Sequence, residues 1–115
     1  MKNAWNGILT LWREEKNAKI HALSTIGVIL VGNYLNFSAI DWLWITLAIA
    51  GVWTAELFNS ALERLVDLAS PDQHPLAKKA KDFAAGAVLV MSIWAVIVFL
   101  LVAIPNLWIF LSFGR

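Results

Sequence analysis

Residues 83–104, FAAGAVLVMSIWAVIVFLLVAI, run for 22 residues without a charged side chain. A hydrocarbon core of roughly 30 Å needs about 20 helical residues. Lipid offers the backbone no hydrogen bonds, so a single crossing segment has to be a helix. Two shorter apolar runs precede this one. Ala22 to Phe37 is broken only by small or uncharged residues, and Trp42 to Leu57 continues without a breaker into FNSALERLVDLA. Both fall short of a full crossing and need flanking residues or local thinning of the bilayer.

Before them, AWNGILTLWREEKNAKI spaces Trp5, Ile8, Leu9 and Trp12 by threes and fours, with Asn6, Thr10, Arg13 and Asn17 opposite. Tryptophans on the apolar face of an amphipathic helix suit the membrane interface. A core helix in a soluble bundle is the simpler alternative, and the apolar runs that follow argue against it. The fold class expected is therefore all-α integral membrane. An interfacial helix covers 4–20, the first span 22–38, the second span with a cytoplasmic extension 41–68, and a cytoplasmic turn of helix with the third span 75–104. SPDQHP (70–75) forms the turn between the last two, since proline stops one helix and suits the first turn of the next. Pro105 is expected to end or kink the third span.

Composition supports this reading. Of 115 residues 60% are hydrophobic and only 15% charged, a balance unusual for a soluble domain. The length holds one domain. A net charge of +1 gives no electrostatic footprint for nucleic acid. The chain has no cysteine, which excludes disulfides, thiolate metal sites and a cysteine nucleophile. Its first residues do not read as a cleavable signal. Lys2, Arg13, Lys16 and Lys19 precede the first run, and Arg64, Lys78, Lys79 and Lys81 lie between the second and third. The connection around NYLNFSAID has no lysine or arginine. The basic-residue bias puts the N-terminus and residues 64–82 in the cytoplasm. Trp42, Trp44 and Trp108 then mark the outer interface, and the C-terminal tail ends outside.

The polar residues of the second span lie in register. Glu56, Asn59, Ser60, Glu63 and Asp67 are offset by zero, three, four, seven and eleven, one stripe at about 100° per residue. Glu56 lies about 21 Å along the helix from Trp42, near headgroup depth. A solvated helix end accounts for Asp67 well and for Glu56, embedded in WTAELF, poorly, because an acid inside a span costs about 2.5–3.5 kcal/mol. The sharper reading is a site that uses carboxylates for metal or proton transfer. Glu56 and Glu63 are separated by roughly 10 Å of helical rise, too far to share one ion with ligands at about 2.1 Å. Glu63 needs a partner from elsewhere, and Glu14 or Glu15 is available. His74, Lys78, Lys79, Lys81 and Asp82 gather at the start of the third helix. The lysines there also serve as headgroup anchors, and a lone histidine in a turn is ordinarily a surface residue. Ala84, Ala85, Gly86 and Ala87 permit close helix approach. No GxxxxGK[ST], GxGxxG, kinase catalytic loop or zinc spacing is present.

ELFNSALERLVD (56–67), HPLA (74–77), AKD (80–82) and AAGAVL (84–89) together resemble the prokaryotic diacylglycerol kinase family, which includes undecaprenol kinases. The resemblance extends over nearly the whole chain. It implies homotrimers with active sites shared between subunits, a membrane lipid substrate, and ATP with Mg2+ as phosphoryl donor. It implies a multi-pass protein of the bacterial cytoplasmic membrane. By position, Glu56 matches the catalytic base and Asn59 the asparagine beside it. Glu15 and Glu63 match the acids that hold magnesium with the ATP phosphates. Asp72, His74, Lys81 and Asp82 match nucleotide-contacting positions. The start departs from the family's pattern, with little ahead of the interfacial helix where relatives carry a basic segment, and WREEKN is a less distinctive match than the helix-two string. Diacylglycerol and undecaprenol remain alternatives, with the 70–77 turn and the Ala-rich run closer to the undecaprenol kinases. A proton-coupled exporter would place its acid at mid-bilayer, and a non-enzymatic membrane protein would not need the stripe.

Overall fold

The computed structural model describes residues 1–114, and among them helix is the only regular structure. The elements are α1 (Lys2–Glu14), α2 (Lys16–Tyr34), α3 (Ala39–Ala69) and α4 (Pro75–Phe113). α3 and α4 form the main pair, and α1 and α2 lean on α3.

The helix expected over 4–20 is interrupted at Glu15. That residue is extended (φ −108°, ψ 119°) and serves as the last cap of α1 and the first of α2. No glycine or proline marks the break. Tertiary contact accounts for it: Glu15 and Glu14 are both bonded to Arg64 on α3. The backbone loses little, because the Glu15 N–H still donates to the Leu11 carbonyl at 3.0 Å. On α1, Leu11 is buried against the bundle while Trp5, Ile8, Leu9 and Trp12 face outward.

α2 meets α3 through a tight turn. Asn36 takes the left-handed conformation (φ 57°), which asparagine tolerates better than most side chains. Ser38 caps α3: its Oγ accepts from the Asp41 N–H, and its own N–H donates to Asp41 Oδ2, a reciprocal pair that satisfies two orphan donors. Gly32 lies beneath the rings of Phe37 and Trp42, and a Cβ there would stand 2.5 Å from the Trp42 ring.

Pro105 does not end the last helix, which continues to Phe113. Proline withdraws the N–H that would bond the Leu101 carbonyl; beside it Asn106 Nδ2 donates to the Val102 carbonyl at 2.8 Å and to Asp41 Oδ2 at 3.0 Å, which ties this turn of the helix to the start of α3. Tyr34 and Phe110, with ring centroids 5.0 Å apart, fasten the extension to α2.

The apolar core (Leu35, Phe37, Ile45, Ala48, Val98, Val102 and Ala103) lies at the end of the molecule where this turn sits. α3 and α4 are long and apolar enough to cross a membrane, and only 28% and 11% of their most apolar windows are buried inside the molecule. A soluble core helix would be covered by protein. Here the apolar faces of the two helices look outward, as lipid requires. α2 is less apolar: Ala22 to Tyr34 covers roughly 20 Å at 1.5 Å per residue.

Candidate functional site

The polar stripe of α3 runs from the interior into water. Glu56 and Ser60 are buried, Asn59 and Glu63 half-buried, and Asp67 exposed. Its lower part faces the α1–α2 junction, where Ala18 is fully buried and lets the helices approach. Asn59 Nδ2 donates to Glu63 Oε1 at 3.2 Å. This fixes the Glu63 carboxylate and leaves its other oxygen free of that bond.

Arg64 ties the junction to α3. It donates to Glu14 Oε1 at 2.9 Å, to Glu15 Oε1 at 3.3 Å and to the Ser60 carbonyl at 3.2 Å. The bond to Glu14 is the largest influence pushing its guanidinium above the ordinary value.

Three buried oxygens in this region have no hydrogen-bond partner: Glu56 Oε2, Asn59 Oδ1 and Ser60 Oγ. Orphaned polar atoms are costly in a protein interior, and three on adjacent turns of one stripe make a place that a polar ligand would complete. His21 on α2 brings its Nε2 to 4.0 Å from Glu56 Oε2. The ring of Trp53 stands edge-on to His21, with centroids 6.4 Å apart, and Trp53 Nε1 donates to Thr25 Oγ1 at 3.2 Å. His21, Ser24, Thr25 and Trp53 form the polar rim of a cavity of about 270 Å³ that continues between α2, α3 and α4 along Val28, Ile49, Ser92 and Phe99.

A second group forms around the 70–74 turn. Lys81 Nζ donates to Asp67 Oδ1, and Lys78 Nζ to Asp82 Oδ2 at 2.6 Å. Asp67, Asp72, His74, Lys78, Lys81 and Asp82 line a groove of about 740 Å³. His74 caps α4, its Nδ1 accepting from the Leu76 N–H at 3.1 Å, with Pro75 opening the helix. One ring nitrogen therefore has a structural task and the other is left for a ligand.

The residues expected at the site thus fall into two sets. Glu15, Glu56, Asn59 and Glu63 gather at the junction, and Asp72, His74, Lys81 and Asp82 line the groove. Among the described residues no hydrogen bond or ion pair joins one set to the other, and no three histidine, aspartate or glutamate side chains converge as metal ligands. Magnesium does not require three, because it keeps several waters and is commonly held by one or two carboxylates together with substrate phosphates. Glu15 and Glu63 fit that demand.

Sequence reasoning missed His21 and the role of Arg64. The signal for His21 was present: Asn17, His21, Ser24 and Thr25, at offsets of zero, four, seven and eight, form a polar face on an otherwise apolar helix. Arg64 read only as a topology marker, since its partners lie about fifty positions earlier in the chain.

Comparison with known proteins gives the family. The family model for prokaryotic diacylglycerol kinase matches residues 2–103. The chain is 42% identical over 105 residues to an undecaprenol kinase of Bacillus subtilis, covering 91% of this chain and 85% of that protein. It is 42% identical over 96 residues to a diacylglycerol kinase of Synechocystis, covering 83% of this chain and 55% of that longer protein. It is 29% identical over 94 residues to the diacylglycerol kinase of Escherichia coli K12, covering 82% and 77%. With the stripe, the capped turn and the groove around residues 67–82 all lying inside the matched region, the chain belongs to the prokaryotic diacylglycerol kinase family.

Proposed function

We propose that this protein transfers phosphate from ATP to the hydroxyl of a membrane lipid alcohol at the cytoplasmic interface, with undecaprenol favoured over diacylglycerol. The observation that carries the reading is the orphaned, buried carboxylate oxygen of Glu56, which faces His21 on the lining of an apolar cavity and sits on a stripe whose upper end reaches a groove of mixed charge carrying two lysines. A lipid tail fits the cavity and puts its hydroxyl at the rim; the nucleotide approaches from the water side. The lean towards undecaprenol rests on the match to the Bacillus protein, which is named an undecaprenol kinase and is covered over most of its length.

Glu56 is the base that takes the proton from the lipid hydroxyl, and Asn59 positions Glu63 beside it. Glu15 and Glu63 are the residues that would hold Mg2+, which when bound neutralises phosphate charge and orients the transferred group. Lys81 leaves Asp67 to meet phosphate, and Asp72, His74 and Asp82 border the nucleotide. Phosphoryl transfer depends mostly on positioning and charge neutralisation, so a base contributes about 10²–10⁴-fold. α2 makes a third span, short enough to need its flanking residues, with the N-terminus in the cytoplasm of a bacterium. The two residue sets on one chain support an assembly, a homotrimer, in which neighbouring subunits complete each site.

The test is a radiolabelled phosphate assay of the purified protein with Mg-ATP, offering both lipids in competition. Label is expected on undecaprenol ahead of diacylglycerol. Label on neither lipid overturns the proposal. Glu56→Gln is expected to leave Mg-ATP binding near wild type and remove most turnover, whereas Glu63→Gln weakens Mg-ATP binding. Equal loss of nucleotide binding in both variants would refute this division of roles.

A further inference from the structure

His21 has no part in the reading above, yet it is the only nitrogen base within 4.0 Å of a Glu56 carboxylate oxygen among the described residues. The oxygen it faces is the one without a hydrogen-bond partner. The two side chains also differ in access to water: that of Glu56 is 3% exposed and that of His21 20%. A proton held by Glu56 has no direct path to solvent, and His21 stands at the rim between the buried acid and the exterior. The imidazole is held in place by the edge-on Trp53 ring, and Trp53 is itself tied back to α2 through Thr25.

We propose that His21 accepts the proton that Glu56 removes from the lipid alcohol, so that Glu56 is reset as a carboxylate within each turnover. The inference rests on Glu56 being the base. In the first transfer the alcohol O–H bond breaks as its oxygen bonds to the γ-phosphorus of ATP, the bond from that phosphorus to the bridging oxygen breaks and ADP leaves with its electron pair, and the proton goes to Glu56 Oε2. In the second, the new O–H bond of Glu56 breaks as an N–H bond forms at His21 Nε2. A carboxylate and an imidazolium then stand side by side; the imidazolium releases one proton to water, and the neutral ring returns to its Nδ1–H tautomer by proton exchange with water before the next turnover. The neutral ring must carry its resting proton on Nδ1 for Nε2 to accept. The 4.0 Å separation must close by about 1 Å to reach hydrogen-bond range, a tightening common when a catalytic site fills.

The surroundings allow this exchange. Besides His21, the charged groups acting on Glu56 are Glu15 at the helix junction and Glu63 on α3, and Asn17 stands beside it. From α4 the cavity receives only uncharged side chains, among them Ser92, Ala95 and Phe99. Lys19, close to His21 in sequence, is turned away over the Trp12 ring at 5.9 Å.

The experiment compares wild type, His21→Gln and Glu56→Gln as purified full-length protein in lipid–detergent micelles with undecaprenol and Mg-ATP. Glutamine keeps a hydrogen-bonding amide but cannot take up a proton. His21→Gln is expected to lower kcat about tenfold or more, leave KM for both substrates within about twofold, and alter the acid limb of the kcat–pH profile. A His21→Gln enzyme with wild-type kcat, or with lower kcat and the limb intact, overturns the proposal and leaves His21 a packing residue. Should His21→Gln fail to fold, imidazole NMR titration of wild type against Glu56→Gln decides the matter. A lower titration midpoint for His21 without the carboxylate supports the exchange, and an identical midpoint overturns it. Wild-type turnover in Glu56→Gln would instead refute the assignment of the base itself.

Discussion

At Glu56 stability and chemistry pull in opposite directions. A buried carboxylate oxygen with no partner costs free energy that an apolar side chain would not. Glu56→Leu is therefore expected to raise the thermal midpoint in detergent while abolishing lipid phosphorylation, and a lower midpoint would show that the carboxylate is already compensated. Ser60 gives a milder version. Its hydroxyl is buried and unmatched, so Ser60→Ala should leave the midpoint unchanged or higher, again by thermal unfolding. Lys81 belongs to a different regime. Its ion pair with Asp67 is largely exposed, and exposed pairs contribute about 0–1 kcal/mol. Lys81→Gln should accordingly spare stability and raise KM for ATP, which steady-state kinetics at fixed lipid would measure.

Among the elements, two glycines make contrasting predictions. At Gly32 a methyl group would meet the rings of Trp42 and Phe37, which are locked by the turn; Gly32→Ala is expected to cost about 1–3 kcal/mol. At Gly51 the obstruction is the terminal methyl of Met91, the free end of a flexible chain that can move aside. Gly51→Ala should cost clearly less, and unfolding midpoints of the two variants in the same detergent give the comparison. The helices themselves were largely legible in the sequence. An uncharged apolar run marks α4 and a three-and-four spacing of polar residues marks the polar face of α3, because both are local consequences of helical periodicity. The bend at Glu15 was not legible, since its cause is an arginine on another helix. The continuation past Pro105 was hidden for the same reason: the local rule for proline is outweighed by Asn106 bonding to Asp41 across the bundle. At the site, carboxylates on one stripe could be read from spacing, whereas the approach of His21 to Glu56 depends on how α2 packs against α3.

Taken whole, the molecule divides its labour by depth. The apolar core and the capped turn occupy one end, the cavity runs from that core to His21, and the groove with its lysines and aspartates lies at the other end. Within one chain the junction acids and the residues of the groove are separate sets. If neighbours complete each other's sites, Glu56→Gln and Lys81→Gln subunits, each deficient alone, should recover part of the activity when mixed and co-reconstituted; absence of recovery would indicate that each chain carries a complete site. The bend at Glu15 has its own consequence at this scale. α1 presents its tryptophans outward, as a helix floating on the leaflet does, while α2 descends. The residue between them is one of the two acids assigned to the metal. If Glu15 holds the metal as proposed, a tilt of α1 relative to α2 would turn that carboxylate through a single pair of backbone torsions, and the pose of the amphipathic helix would be linked to phosphate binding.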